Sequence, residues 1–194
     1  MSETRGSAWP IELAMLRVHE RSGSICILRI GRDDGTLAEP LGRAFDVSWP
    51  VEPNTTAAHG DLTVLWMAPG QWALADCPAA SVAERAAQAC GSTLHLVSDV
   101  TDGRVGFEIS GALSRDLLAK SCSLDLYPRA FKPGACAQTL LAQVPVLLYR
   151  PREAPDDDAI FHLYADVSVA WHLRSWFQDA ALEFTIRPPM GGTI

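Results

Sequence analysis

The densest set of hard oxygen donors in the chain is Asp156-Asp157-Asp158. Adjacent residues of one loop cannot turn their carboxylates onto a single cation as the spaced ligands of a calcium loop do, so the run predicts a solvated connector. The five histidines, His19, His59, His95, His162 and His172, are isolated from one another in sequence. His95 and His162 fall in expected strands, where a lone imidazole is usually a hydrogen-bonded structural group. Cys122 follows Lys120 by two residues. A nearby ammonium lowers a thiol pKa, but no base accompanies this one. Asp99 and Asp102 have the types for an acid pair. They also flank the turn before Gly103, where aspartate commonly binds backbone N–H groups. Cys26, Cys77, Cys90, Cys122 and Cys136 are odd in number and form no C-x-x-C pair, which points away from a disulfide framework and a zinc site. No dinucleotide, P-loop, nucleophile-elbow or H-E-x-x-H motif occurs. Catalytic chemistry is weakly supported; reduced, buried thiols are expected.

Aromatic placement says more. At about 100° per residue, the last helix turns Val169, Leu173, Trp176, Phe177 and Ala180 inward. Trp171 then points outward beside Arg174, Ser175 and Gln178. A tryptophan on a polar face needs cover, from the chain's own tail or from a partner. Tryptophan and arginine are enriched at the energetic centres of interfaces, which makes Trp171, Arg174 and Gln178 the candidate partner surface. Leu62, Val64 and Trp66 face one way and Leu65 and Met67 the other, so that strand wants cover on both sides. Burial between two halves of the chain is the simpler source of it.

The 194 residues are 48% hydrophobic and 20% charged, enough apolar surface for a self-standing core. Asp and Glu number 23 against 16 Lys and Arg, for a net charge of −7. An acidic chain offers no footprint for a phosphate backbone, so nucleic acid is not an expected partner. No apolar run reaches the ~18 residues of a membrane helix, and the polar opening lacks a signal-peptide core. A soluble cytoplasmic protein is expected.

Residues 25–30 read as a strand, 37–45 as a short helix, and 51–60 as loop. Residues 62–68 and 72–75 form a hairpin through Pro69-Gly70, which suits a type II turn. Residues 79–90 show helical spacing, opened by Pro78 and closed by Gly91. Residues 93–100 form a further strand. The order is β-α-β-β-α-β, a ferredoxin-like half. It then repeats: a strand at 105–109, a helix capped by Ser110, strands at 136–143 and 146–150 with Pro145 marking a bulge or turn, a strand at 160–165, and a helix at 168–181. The organisation expected is an arm at 1–20, ferredoxin-like halves at 21–102 and 103–186, and a tail at 187–194.

Residues 99–118, with Asp99-Val100-Thr101, Gly103, Ile109-Ser110-Gly111, Asp116 and Leu117-Leu118, resemble a stretch of the folate-binding aminomethyltransferases, the glycine-cleavage T-protein superfamily. The segments 120–126 and 133–148, with Ala68-Pro69-Gly70-Gln71-Trp72, are similar to the gamma subunit of heterotetrameric sarcosine oxidase. The likeness runs from about residue 25 to 185. It implies an α+β fold of two tandem ferredoxin-like halves. It also implies a complex with alpha, beta and delta subunits that oxidises sarcosine to glycine, yielding formaldehyde or 5,10-methylenetetrahydrofolate and hydrogen peroxide. FAD, FMN, NAD and tetrahydrofolate, and a zinc ion on delta, belong to those other subunits; gamma carries no redox cofactor. In active T-proteins the strand matching residues 141–150 carries an aspartate pair, where this chain has Val144 and Pro145. Neither can stabilise a developing positive charge. A subunit of a related N-methyl amino-acid dehydrogenase, such as N-methylglutamate dehydrogenase, and a stand-alone folate-binding protein are the competing readings.

Overall fold

The computed structural model describes residues 9–31, 35–151 and 159–186. The acidic run at 156–158 and the tail at 187–194 lie outside them. The chain begins with a hairpin, β1 (Ile11–Leu13) and β2 (Leu16–Arg21). The first half follows as β3 (Ile25–Ile30), α1 (Ala38–Phe45), β4 (Thr56–His59), β5 (Leu62–Ala68), β6 (Gln71–Ala75), α2 (Ala79–Cys90) and β7 (His95–Asp99). The second is β8 (Arg104–Ser110), α3 (Ser114–Ala119), β9 (Cys136–Leu141), β10 (Val144–Tyr149), β11 (Phe161–Asp166) and α4 (Ala170–Ile186). The strands form two antiparallel sheets, one ordered β4-β5-β6-β3-β7 and the other β1-β2-β8-β11-β10-β9.

The two sheets have the same plan. Strands β9, β10, β11 and β8 occupy the places of β4, β5, β6 and β3, and β2 stands where β7 stands in the first. The fourth ferredoxin strand of the second half is therefore supplied by the N-terminus. This corrects the reading of residues 1–20 as an arm: Ile11–Leu13 and Leu16–Arg21 are paired strands, with Val18 opposite Ile109. The pairing spans about ninety residues of sequence, and no local pattern announces it. The first half likewise gains β4 within residues 51–60, expected as loop.

Alternation decides which face of each strand is buried. Cys26, Leu28, Val64 and Leu74 turn to one side and pack with Leu41 and Phe45 of α1 and Val82 and Ala86 of α2. Val18, Phe107, Ile109, Leu148 and Leu163 pack with Leu117 and Leu118 of α3 and Leu173 and Phe177 of α4. The opposite faces meet each other: Ile25, Ile27, Leu65 and Ala73 against Cys136, Leu147, Tyr149 and Tyr164. The layers run helix, sheet, sheet, helix. Both sides of β5 are thus covered within the chain, as its pattern required.

Local chemistry was legible in places. Gly70 takes φ +69° after Pro69, and Gly91 takes φ +55° at the end of α2. Elsewhere it misled. Ser110 is the buried last residue of β8, and α3 starts at Ser114, whose hydroxyl donates to the Ala159 carbonyl at 2.9 Å. Pro145 lies inside β10 opposite Leu140, not at a turn. Its absent N–H falls where the ladder to β11 has not yet begun, so no bond is lost. The turn is Ala142-Gln143, with φ +50° and +67°, a two-residue connection that favours glycine or asparagine. The Ser121 hydroxyl holds Ala142 N–H at 3.0 Å, and the His172 ring lies 3.0 Å from its carbonyl. Gln143→Gly is therefore expected to raise the unfolding free energy by about 1 kcal/mol, measured by urea denaturation. An unchanged midpoint would mean the turn carries no strain.

Candidate functional site

Antiparallel register builds a polar row across the inner face of the second sheet. His19 of β2 lies opposite Glu108 of β8, Glu108 opposite His162 of β11, and His162 opposite Tyr149 of β10. Directly opposed residues project from the same face, so the four side chains meet. Two residues along each strand, Arg21, Gly106, Tyr164 and Leu147 make a second row. The absent side chain of Gly106 makes room: a Cβ there would stand 3.2 Å from the Tyr164 ring.

The first row is a hydrogen-bonded chain. His162 Nδ1 lies 2.6 Å from the Tyr149 hydroxyl and Nε2 lies 3.2 Å from the Glu108 carboxylate. A neutral imidazole satisfies both contacts, accepting the phenol O–H at Nδ1 and donating its N–H to Glu108. His19 Nε2 is 3.9 Å from the other Glu108 oxygen. Arg21 connects the rows to the first sheet, donating to the Tyr164 hydroxyl at 2.8 Å and to the Asp76 carboxylate at 2.9 Å. Asp76 follows β6, so this ion pair clasps one sheet to the other. A Cβ on Gly23 would come within 2.0 Å of the Asp76 carboxylate, which is why the chain approaches there through glycine.

Burial keeps His162, Tyr149 and Tyr164 in their neutral forms at neutral pH. Desolvation pushes His162 down to about 3, with the Arg21 and His19 charges acting in the same direction. It also raises the Tyr149 and Tyr164 hydroxyls above their ordinary range. The thiols behave alike: burial pushes Cys136 up to about 12 and Cys26 up to about 11, so neither offers a thiolate. The geometry makes a clasp in which the neutral His162 ring bridges Tyr149 and Glu108.

Two hollows flank the clasp. One, of about 590 Å³, is lined by Arg21, Asp76, Thr63, Tyr149 and His162. The other, of about 540 Å³, lies between the sheets against Ile27, Met67, Pro145 and Leu147, with Arg104 the charged residue of its lining. Among the described residues no carboxylate lines the second hollow. Among the described residues no three His, Cys, Asp or Glu side chains converge as a metal site would need.

The residues singled out by sequence are dispersed. Asp99 accepts the Thr101 N–H at 3.0 Å, the turn duty expected of it, and that bond with the Thr101 hydroxyl holds its carboxyl below the usual range. His95 binds the carbonyl of Thr93 through Nδ1. Cys122 is buried. The histidines are less isolated than their spacing suggested, since His19 and His162 flank one carboxylate. Only strand register brings them together; the alternation of polar with apolar residues in β2 and β8 was the signal available. On α4, Trp171 is 76% exposed, Gln178 is half-buried, and Arg174 pairs with Glu20 of β2, its Nη2 at 2.9 Å from the carboxylate. Of the expected inward set, Leu173, Phe177 and Ala180 are buried, while Val169 and Trp176 are partly buried against the same core.

A family model described as the sarcosine oxidase, gamma subunit family matches residues 29–183. The chain belongs to that family. It is 33% identical over 153 residues to a sarcosine oxidase subunit gamma from Corynebacterium sp. (strain P-1), covering 78% of this chain and 71% of the relative. A chain of heterotetrameric sarcosine oxidase from Corynebacterium sp. U-96, solved in complex with pyrrole 2-carboxylate, superposes with a TM-score of 0.77 at 27% identity, covering 89% of this chain and 87% of that one. Glycine cleavage system aminomethyltransferase T from Bartonella henselae superposes with a TM-score of 0.62 at 14% identity, over 84% of this chain and 45% of that chain. That likeness is one of fold alone.

Proposed function

We propose that this chain is the gamma subunit of a heterotetrameric sarcosine oxidase, shaping and stabilising the assembly without a redox centre of its own. The observation that carries the reading is the superposition along nearly the whole length of a chain from such an enzyme. The clasp supports it, because the buried His162 is satisfied by Tyr149 and Glu108 and held well below neutral pH. The partners on this reading are the alpha, beta and delta subunits, which hold FAD, FMN, NAD and tetrahydrofolate. The complex oxidises sarcosine to glycine in the cytoplasm. Val144 and Pro145 stand where the resemblance to active T-proteins expects an aspartate pair, so folate chemistry is not assigned to this chain.

Co-expression with the co-encoded subunits, followed by size analysis and a visible spectrum, tests the reading. A large flavin-coloured complex that contains this chain is expected, with no flavin absorbance on the chain alone. A monomer indifferent to the other subunits, or tight tetrahydrofolate binding by the lone chain, would overturn it. Oxidation of N-methylglutamate in place of sarcosine would move the chain to the related dehydrogenase.

The α4 face bearing Trp171, Arg174 and Gln178 is one contact on this reading. Trp171→Ala is expected to weaken assembly by ~2 kcal/mol or more while leaving the isolated chain's melting temperature nearly unchanged. A fall in melting temperature with unaltered assembly would make Trp171 internal cover instead.

A further inference from the structure

The two halves differ at one equivalent edge. In the second sheet, β2 holds the position that β7 holds in the first, and β1 pairs along its outer side. The matching side of β7 has no strand beside it among the described residues. Gly31 N–H bonds Leu94 O and Val100 N–H bonds Ile25 O, so the even-numbered residues of this segment direct their backbone groups to β3. In an antiparallel ladder the alternate residues then point theirs away. The N–H and C=O groups of His95, Val97 and Asp99 therefore face outward.

Sheet edges left open are normally blunted, and the other three edges here are. Strand β1 has three residues and follows Pro10. Strand β4 spends its Thr56 N–H and hydroxyl on the Gly134 carbonyl. Strand β9 has its Cys136 N–H held by Asn54 O, next to the bridge between Thr55 and Ala135 that leads into it. Strand β7 has an unbroken register, no proline and no lysine. Leu94 just before it and Leu96 within it stand 78% and 57% exposed on one face. Arg29, opposite Leu96 on the same face, is exposed and has no ion-pair partner among the described residues.

We propose that β7 is a strand-addition site, where an extended segment of a partner subunit joins the first sheet as its sixth strand. The backbone pattern demands an extended occupant. The leucines call for apolar side chains on its matching face, and Arg29 calls for a carboxylate beside them on a chain whose own charge is −7. This is strand augmentation, in which main-chain bonds give affinity and alternate side chains give specificity. It rests on the reading of the chain as a subunit of a larger complex.

Hydrogen exchange on the isolated chain and on the assembled complex tests it. The amides of His95, Val97 and Asp99 should exchange at least 100-fold more slowly in the complex. Leu96→Glu and Arg29→Glu should each weaken assembly tenfold or more while the isolated chain melts normally. A complex that forms with those three amides as exposed as before overturns the proposal and leaves the subunit reading standing. Protection that appears in the isolated chain and grows with its concentration also overturns it, in favour of pairing between copies. Failure to assemble at all removes both.

Discussion

Arg150→Ala is expected to lower the unfolding free energy by roughly 3–5 kcal/mol, among the larger losses a single substitution gives. Arg150 follows β10 and is 0% exposed. Its guanidinium donates to the Phe131 carbonyl at 3.3 Å, its N–H donates to Ala135 O, and its own carbonyl accepts from Gly134 N–H. One residue thus fastens the loop leading into β9 to the end of the sheet. Truncation leaves a void and strips a buried carbonyl of its donor, two costs that add. Arg150→Met keeps most of the volume and removes the charge, and it should cost less than half as much. Urea denaturation of both variants checks the pair. An alanine variant within 1 kcal/mol of the parent would show that the loop is anchored elsewhere.

Acid should destabilise the fold through His162 well before Asp99 and Asp166 contribute. An unfolded histidine titrates near 6.5, and the folded one is held down to about 3. Between those values the unfolded chain binds the extra proton, so stability rises with pH across the window and is complete above it. From pH 7 to 4.5 the expected loss is about 2–3 kcal/mol. The groups facing the ring set the sign. Glu108 alone would favour protonation, but desolvation, Arg21 and His19 oppose it, and the neutral ring already satisfies both neighbours. Asp99 and Asp166 are held below the usual carboxylate range, so their share is lost only at lower pH. His162→Gln should flatten the slope between pH 4.5 and 7. Nitrogen shifts of His162 should report a neutral ring at pH 5; a charged ring there would remove the basis for the prediction.

Local sequence determined the elements it could encode locally. The alanine-rich spacing at 79–90, Pro78 and Gly91 mark α2 because caps and periodicity act within a few residues. Pro69-Gly70 marks the β5–β6 turn for the same reason. The outward position of Trp171 followed from helical geometry alone. The ordered short motifs at 99–118 and 133–148 pointed to the family, since they preserve spacing across a whole half of the fold.

Tertiary structure alone decided the rest. Nothing near residues 11–21 says that they complete a sheet whose nearest strand begins at Arg104, because strand pairing between distant segments depends on what each leaves unpaired after folding. The clasp of Glu108, His162, Tyr149, Arg21 and Asp76 depends on the register of four strands, and a slip of one residue would turn each side chain to the opposite face. The contrast between the covered edge of β2 and the open edge of β7 depends on comparing two completed sheets. Backbone donors and acceptors are the same at every residue, so only the assembled fold determines which of them remain unmet.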